Sequence, residues 1–301
     1  MRRAKYVYRE EEGRELVLGC ESRFRNRLQV ICDRTAQSDV RLIALTGPTC
    51  AGKSTAAEQM RRTMEKTGRH VLTISLDDFF IDQSRVNLRE IYGREEIDFD
   101  SVDVLDLLTL ERVMKELRTM GRAEVPRFDF HLRKRVGYEP VRFGPDDVLL
   151  VEGIQALYPD VCGILRNFPS RFIFAGLRKP LMIGRTLFDP HEIRLMRRIV
   201  RDAYRRGTEP VLNLWLWGSV RRNEARHILP YAFDCEELLD TGMTYEVHML
   251  TGFLRPLLGS LPDYALPEHR EYARKTLELL EQVEPFPVSY LPADAFYHEF
   301  V

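Results

Sequence analysis

The chain has 301 residues, 44% hydrophobic and 30% charged, a composition that fits a folded globular protein and excludes a disordered or fibrous one. Forty-five Lys+Arg against 46 Asp+Glu leave a net charge of -1, so no overall basic field exists to draw the protein onto nucleic acid or an anionic membrane. The five cysteines, Cys20, Cys32, Cys50, Cys162 and Cys235, have no C-x-x-C spacing; they predict reduced thiols and a cytoplasmic location, not a disulfide framework or a zinc site.

The opening residues MRRAKYVYREEEGREL carry arginines without an apolar run behind them, so no secretory signal is expected. The longest apolar runs, Val148–Val151 and Ile154–Tyr158, are too short to cross a bilayer. Residues 1–18 read as a loose arm or short strand pair, and residues 21–36 as a helix with Phe24, Leu28 and Ile31 on one face. Together, residues 1–39 form an expected arm and helix ahead of a principal domain over 40–301.

Arg41–Thr46 predicts a buried strand, and Lys53–Lys66 a helix with Ala57, Met60 and Met64 inward and Gly68 as its stop. His70–Ser75 predicts a second strand. Val102–Met120 reads as an amphipathic helix with Leu105, Leu108, Val113 and Leu117 inward, ended by Gly121. Two further strands are expected, one at VLLVE in the Arg142–Val151 segment and one at Arg171–Ala175. From Glu192 the chain reads as helical and arginine-rich, then as loop-rich after Pro285. Nearly all-apolar strands separated by helices predict an α/β fold, a parallel sheet with helices on both faces.

The strongest chemical signal is Gly47-Pro48-Thr49-Cys50-Ala51-Gly52-Lys53-Ser54, which satisfies G-x-x-x-x-G-K-[ST] where a strand turns into a helix. Glycines let successive backbone N–H groups face phosphate oxygens, and the helix N-terminus adds the positive end of its dipole. This P-loop predicts nucleoside triphosphate binding by residues 47–55, Thr55 included. Lys53 would reach the β/γ phosphates, and the Ser54 hydroxyl would ligate Mg²⁺. Cys50 reads as a small residue that fits the loop. No N-K-x-D base-reading motif, L-S-G-G-Q signature or D-E-x-x box accompanies the loop, which turns the reading away from GTPases, transporter ATPases and helicases.

Instead, Asp77-Asp78 follows the second strand and Glu152 ends VLLVE. Carboxylates at the C-terminal ends of parallel strands lie over the same crevice as the loop, where one can take a proton from an attacking hydroxyl and another can help hold Mg²⁺. The plain alternatives are an Asx turn or helix cap for the aspartates and a solvent-facing strand end for Glu152.

GPTCAGKST, SLDDFF, IDFDSVDVLD, VPRFDFHLRKR, LLVEGIQALY and RLMRRIVRDAYRRG occur in the order found in the uridine kinase/phosphoribulokinase family, and the sequence resembles its bacterial nucleoside kinase-like branch over roughly residues 40–300. WGSVRRNEARHILPY and LPADAFYHEF also have counterparts in that branch. Some members of the branch carry an extra N-terminal domain related to threonyl-tRNA synthetase, for which no counterpart is expected here. The resemblance implies a P-loop NTPase fold like the nucleoside monophosphate kinases: a five-stranded parallel sheet, a helical lid at about 192–210, an acceptor hairpin at about 122–145 and C-terminal helical additions.

It also implies ATP- and Mg²⁺-dependent transfer of the γ-phosphoryl group to a hydroxyl of a small molecule, usually the 5′-hydroxyl of uridine or cytidine. Asp77 matches the catalytic base. Asp100 matches the carboxylate that holds the ribose hydroxyls, with a helix N-cap as its plain alternative. Phe128 and Phe130 match the aromatics of the acceptor hairpin, with packing as theirs. Arg198, Arg201 and Arg206 match lid positions that contact the acceptor or the phosphates, in a run where Arg194, Arg197 or Arg198, Arg201 and Arg205 fall on one helical face. For an anonymous helix the plain reading is a solvated basic face.

Two departures stand out. Arg133 occupies the position where family pyrimidine kinases carry a histidine, and its donor-only fork favours an anionic or oxygen-rich acceptor. His131, two residues earlier, would share a face with Arg133 on a regular strand. Thr208 stands where the lid usually has an arginine. A nucleoside kinase is therefore the leading expectation. A kinase of another polyol or sugar-like acceptor is the second, and a non-catalytic nucleotide-binding module the third. No nucleic-acid or membrane partner is expected, and the family likeness implies a homo-oligomer as one possible assembly.

Overall fold

Short apolar strands alternating with helices organise the chain in the computed structural model, which describes residues 8–83, 100–184 and 186–301. In chain order the principal elements are α1 (Glu10–Ala36), β1 (Leu42–Thr46), α2 (Lys53–Glu65), β2 (Val71–Ser75), α3 (Leu107–Met120), β3 (Arg122–Asp129), β4 (Lys134–Arg142), β5 (Val148–Glu152), α4 (Pro159–Leu165), β6 (Ser170–Gly176), β7 (Leu181–Ile183), β8 (Thr186–Phe188), α5 (Pro190–Arg206), α6 (Pro210–His227), β9 (Glu237–Asp240), α7 (Glu246–Gly259) and α8 (Pro267–Leu280). No helix among the described residues is long and apolar enough to cross a membrane.

The chain divides into two compact units. One comprises residues 27–176 and 219–239 and contains a five-stranded sheet in the order β2-β5-β1-β6-β9. β2 pairs with β5, β5 with β1 and β1 with β6, all in parallel. β1 and β5 are buried along their whole length, which is why their sequences lack a polar alternation. Leu42, Ala44, Leu149 and Val151 enter one core with Leu110, Val113, Met114 and Leu117 of α3 and Val161 and Leu165 of α4. The alternate residues Ile43, Leu45 and Leu150 face the other side, where α2 packs along β1, β2 and β5. Helices therefore cover both faces, as the apolar strands predict.

The other unit comprises residues 1–26, 177–218 and 240–301. Its centre is polar as well as aromatic. Glu21, fully buried, accepts hydrogen bonds from the Tyr245 hydroxyl and, at 2.9 Å, from the Phe296 N–H. Fully buried Arg197 donates to Glu246 at 2.6 Å and to the Thr241 carbonyl at 2.8 Å, with the rings of Phe296, Tyr297 and Phe300 around its guanidinium.

Two expectations are corrected. Residues 10–18 are helical, because Val17, Cys20, Glu21, Phe24, Leu28, Ile31, Cys32 and Thr35 form one buried stripe with helical spacing. A buried glutamate within that stripe hides its length from a reading of apolar residues alone. The helix expected from Val102 begins at Leu107, where the Asp106 side chain accepts from the Thr109 N–H, and a separate 3-10 turn covers Val102–Val104. Leu108 is 81% exposed instead of inward, because it lies on the face opposite Leu117.

Candidate active site

Between β1 and α2 the backbone folds into a tight loop. Gly47 has φ +141°, and a Cβ placed there would lie 1.9 Å from the Ala175 carbonyl oxygen, so only glycine fits. Cys50 is buried with φ +55°, and Gly52 caps α2 in the left-handed conformation without a side-chain hydrogen bond. The first N–H groups of α2 therefore lack a side-chain cap, and an anion suits that position.

Lys53 is buried and donates from Nζ to the carbonyls of Gly47 at 3.0 Å and Pro48 at 2.9 Å. Thr49 and Thr55 are half-buried and Ala51 fully buried in the same loop and first turn.

Glu152 lies across from Ser75 in the β2–β5 register. The Ser75 hydroxyl donates to its Oε1 at 2.6 Å, and the Ser54 hydroxyl to its Oε2 at 3.4 Å. At 8% exposure Glu152 is a buried strand-end acid joined to the loop, not a solvent-facing one. Ser75 belongs to this constellation and was absent from the sequence reading, where one serine at a strand end carries no signal. Ser54 and Glu152 are two oxygen donors side by side, and no cluster of three or more His, Cys, Asp or Glu suited to a metal occurs among the described residues. That donor set fits Mg²⁺, which takes few protein ligands and fills its octahedron with water and phosphate oxygens.

Asp77 lies in the 3-10 turn Leu76–Phe79, two residues past Ser75. Gly153 lets the chain beside it pass closely, since a Cβ there would lie 2.6 Å from Leu76 Cβ. The neighbouring Asp78 has a different task. Its Oδ1 accepts from the Phe128 N–H at 3.0 Å and its Oδ2 pairs with Arg127 at 3.1 Å, fastening the β3–β4 hairpin to the turn.

On that hairpin Phe128 and Phe130 make edge-on contacts with each other and with Phe80, with centroids 5.3–6.1 Å apart. Asp129 accepts from the His131 and Leu132 N–H groups at 2.8 Å each, which builds the turn between the strands. His131 and Arg133 therefore stand in a turn and do not share a strand face; Arg133 has φ +51°.

Next to the hairpin turn, Arg135 pairs with Asp106 at 2.9 Å. Burial raises the Asp106 carboxyl, but hydrogen bonds from Thr109 and the charge of Arg135 outweigh it and hold the group below its usual value. Asp100 is half-buried, and its carbonyl accepts from the Tyr158 hydroxyl at 2.9 Å, while that hydroxyl also donates to Asn223. Asp106 and Ser101, not Asp100, cap the elements that follow. Residues 97–99 of the same motif lie outside the described residues.

The arginine run divides. Arg194 and Arg197 are buried, the first against Trp217 and the second against Glu246, so the basic face expected from spacing is partly core. Arg198, Arg201 and Arg206 gather on Asp202, with charged atoms 3.6, 2.8 and 3.6 Å from its carboxylate. Asp202 itself was not singled out by sequence, because one acid among many arginines reads as ordinary surface balance. Thr208 donates its N–H to the Asp202 carbonyl at 2.9 Å, closing the helix after Gly207.

The family model of the phosphoribulokinase/uridine kinase family matches residues 42–230. A uridine kinase of Clostridium tetani is 28% identical over 177 residues, 58% of this chain and 75% of the relative. A uridine kinase of Lactobacillus johnsonii is 24% identical over 224 residues, 73% of this chain and 96% of the relative. Among solved structures, a candidate fructose transport system kinase from Silicibacter sp. TM1040 matches with a TM-score of 0.51 and 18% identity, covering 70% of this chain and 98% of that one, a likeness of fold.

Proposed function

The chain belongs to the phosphoribulokinase/uridine kinase family, a phosphotransferase family acting on hydroxyl groups, and from that premise we propose that it transfers the γ-phosphoryl group of ATP to the 5′-hydroxyl of a nucleoside of the uridine or cytidine type. The observation that carries this reading is the Ser54–Glu152–Ser75 chain of hydrogen bonds. It brings a metal-competent acid and hydroxyl to the mouth of the phosphate loop, beside the turn that bears Asp77.

In this mechanism the loop N–H groups and Lys53 bind the triphosphate. Lys53 exchanges the carbonyls of Gly47 and Pro48 for phosphate oxygens. Mg²⁺, when bound at Ser54 and Glu152, supplies neutralisation of the phosphate charge. Asp77 accepts the proton of the acceptor hydroxyl as its oxygen attacks the γ-phosphorus and the bond to the β-phosphate oxygen breaks. Asp100 orients the ribose hydroxyls, Phe128 and Phe130 flank the base, and Arg198, Arg201 and Arg206 donate to phosphoryl or acceptor oxygens.

ADP release with Mg²⁺-ATP, measured across uridine, cytidine, purine nucleosides, ribose and polyols with Asp77→Asn alongside, tests this reading. Turnover on uridine or cytidine that falls at least about a hundredfold in Asp77→Asn is the expected result. Turnover confined to a non-nucleoside replaces the acceptor, and tight ATP binding without turnover on any acceptor overturns the kinase reading.

A further inference from the structure

The hairpin turn holds one charged group whose partner is missing. Arg133 Nη1 is enclosed by protein and has no hydrogen-bond partner, one of the few such side-chain atoms among the described residues. A guanidinium donates and never accepts, and an enclosed donor without a partner is costly, so this atom calls for an oxygen or nitrogen lone pair from outside the chain.

The placement of Arg133 is built and not incidental. Its backbone is in the left-handed region, which disfavours an arginine, and its carbonyl is held by the Gln83 N–H at 2.8 Å. Gln83 continues the segment that carries Asp77, and the same segment grips the hairpin through Asp78 on the Phe128 N–H and through Phe80 on Phe128 and Phe130. Arg133 is thus tied through its backbone to the segment that carries Asp77.

We propose that Arg133 is a specificity residue, selecting an acceptor that turns an oxygen rather than an amino group toward the hairpin tip. The inference rests on the kinase reading above and narrows its substrate class. A base carrying a carbonyl satisfies Nη1, whereas an exocyclic amino group sets donor against donor and leaves both unpaired. Uridine is therefore preferred over cytidine, and inosine over adenosine. A sugar acid offers the same lone pairs through its carboxylate.

Binding to the full chain, measured calorimetrically for uridine, cytidine, inosine, adenosine, ribonate and ribitol, tests the proposal without requiring turnover. The oxo partner binds at least about tenfold more tightly than the amino partner within each nucleoside pair. If the carboxylate is the source, ribonate outcompetes ribitol by a similar factor while the nucleosides bind weakly. Either preference falls to within about twofold in Arg133→Gln and Arg133→Gly. Glycine relaxes the left-handed backbone, so Arg133→Gly keeps a thermal midpoint at or above that of the parent and removes misfolding as an explanation.

No preference within any pair, no binding by any of the six compounds, or a preference that survives in Arg133→Gly overturns the proposal. Selective binding without ADP release on adding Mg²⁺-ATP would instead overturn the kinase reading and leave the role of Arg133 standing.

Discussion

Arg201 donates its Nε–H to Asp202 Oδ1 at 2.8 Å, and the same nearly buried carboxylate draws in Arg198 and Arg206. One acid thus sets the direction of three cations that would otherwise repel one another. Asp202→Asn keeps the shape and removes the charge. It should lower kcat/KM for ATP about tenfold, with a stability loss of about 1–3 kcal/mol because Asp202, Arg198 and Arg201 are largely shielded from water. Steady-state kinetics with urea unfolding checks this, and an unchanged kcat/KM would assign Asp202 to stability alone.

Glu152 accepts from both Ser54 and Ser75, so Glu152→Gln puts an amide group where a hydroxyl now donates. The expected outcome is an Mg²⁺ requirement shifted upward by about tenfold or more, with ATP-dependent turnover partly restored at high Mg²⁺. Activity titrated against Mg²⁺ at fixed ATP reads the shift. An unmoved half-saturation point would remove Glu152 from the metal site.

Gly47→Ala asks a methyl group to occupy space 1.9 Å from the Ala175 carbonyl oxygen at a φ of +141°. Neither the loop nor β6 can give way cheaply, so unfolding free energy should fall by roughly 3 kcal/mol or more and ATP binding should be lost. Urea denaturation and nucleotide titration measure the two effects separately.

Arg197 and Glu246 form an ion pair that is wholly removed from water. Arg197→Met alone strands a buried carboxylate and should cost about 3–5 kcal/mol, whereas Arg197→Met with Glu246→Leu should recover most of that loss. Equal destabilisation in the single and double variants would show that packing, not charge, dominates the site.

His248 donates its Nδ1–H to the Glu284 carbonyl at 2.8 Å and stacks on Phe286 with centroids 4.5 Å apart. Burial lowers its pKa from 6.5, against the opposing pull of the Glu284 contact and charge. The folded state then binds fewer protons than the unfolded state below about pH 6.5. Its contribution is present above that pH and is lost as pH falls toward and through the depressed value, by at most about 1.4 kcal/mol per pH unit. His248→Phe should flatten the acid limb of a urea-midpoint profile between about pH 7 and pH 5, with His269, also lowered by burial, supplying the remaining slope.

The sheet was legible because buried parallel strands leave an unbroken apolar signature, and Val148–Val151 shows it at every position. The phosphate loop was legible because backbone geometry dictates its glycines. Polar groups that act inside the fold were not: Glu21 interrupts an apolar stripe, Arg197 joins a basic run, and Asp202 looks like its counterweight. The roles of Glu21 and Arg197 depend on Tyr245 and Glu246, more than 40 positions away in the chain, which local spacing cannot encode, whereas the partners of Asp202 are near in sequence and its burial is what spacing leaves out. Leu108 shows the complementary error, since at 100° per residue it stands opposite Leu117 on the helix whose inward face is Leu110, Val113, Met114 and Leu117.

The bond from the Phe296 N–H to Glu21 has a consequence for the order of events during synthesis. Its partners are separated by 275 positions, and the unit that contains them is assembled from three separate stretches of chain. The Glu21 carboxylate cannot accept from that amide until the 275 positions between them have been made. Residues 27–176, by contrast, supply β1, β2, β5 and β6 in one continuous stretch. These four strands can therefore pair while the second unit still waits for residues 240–301, and a chain that stops a few residues before Phe296 would carry a buried acid with one partner gone.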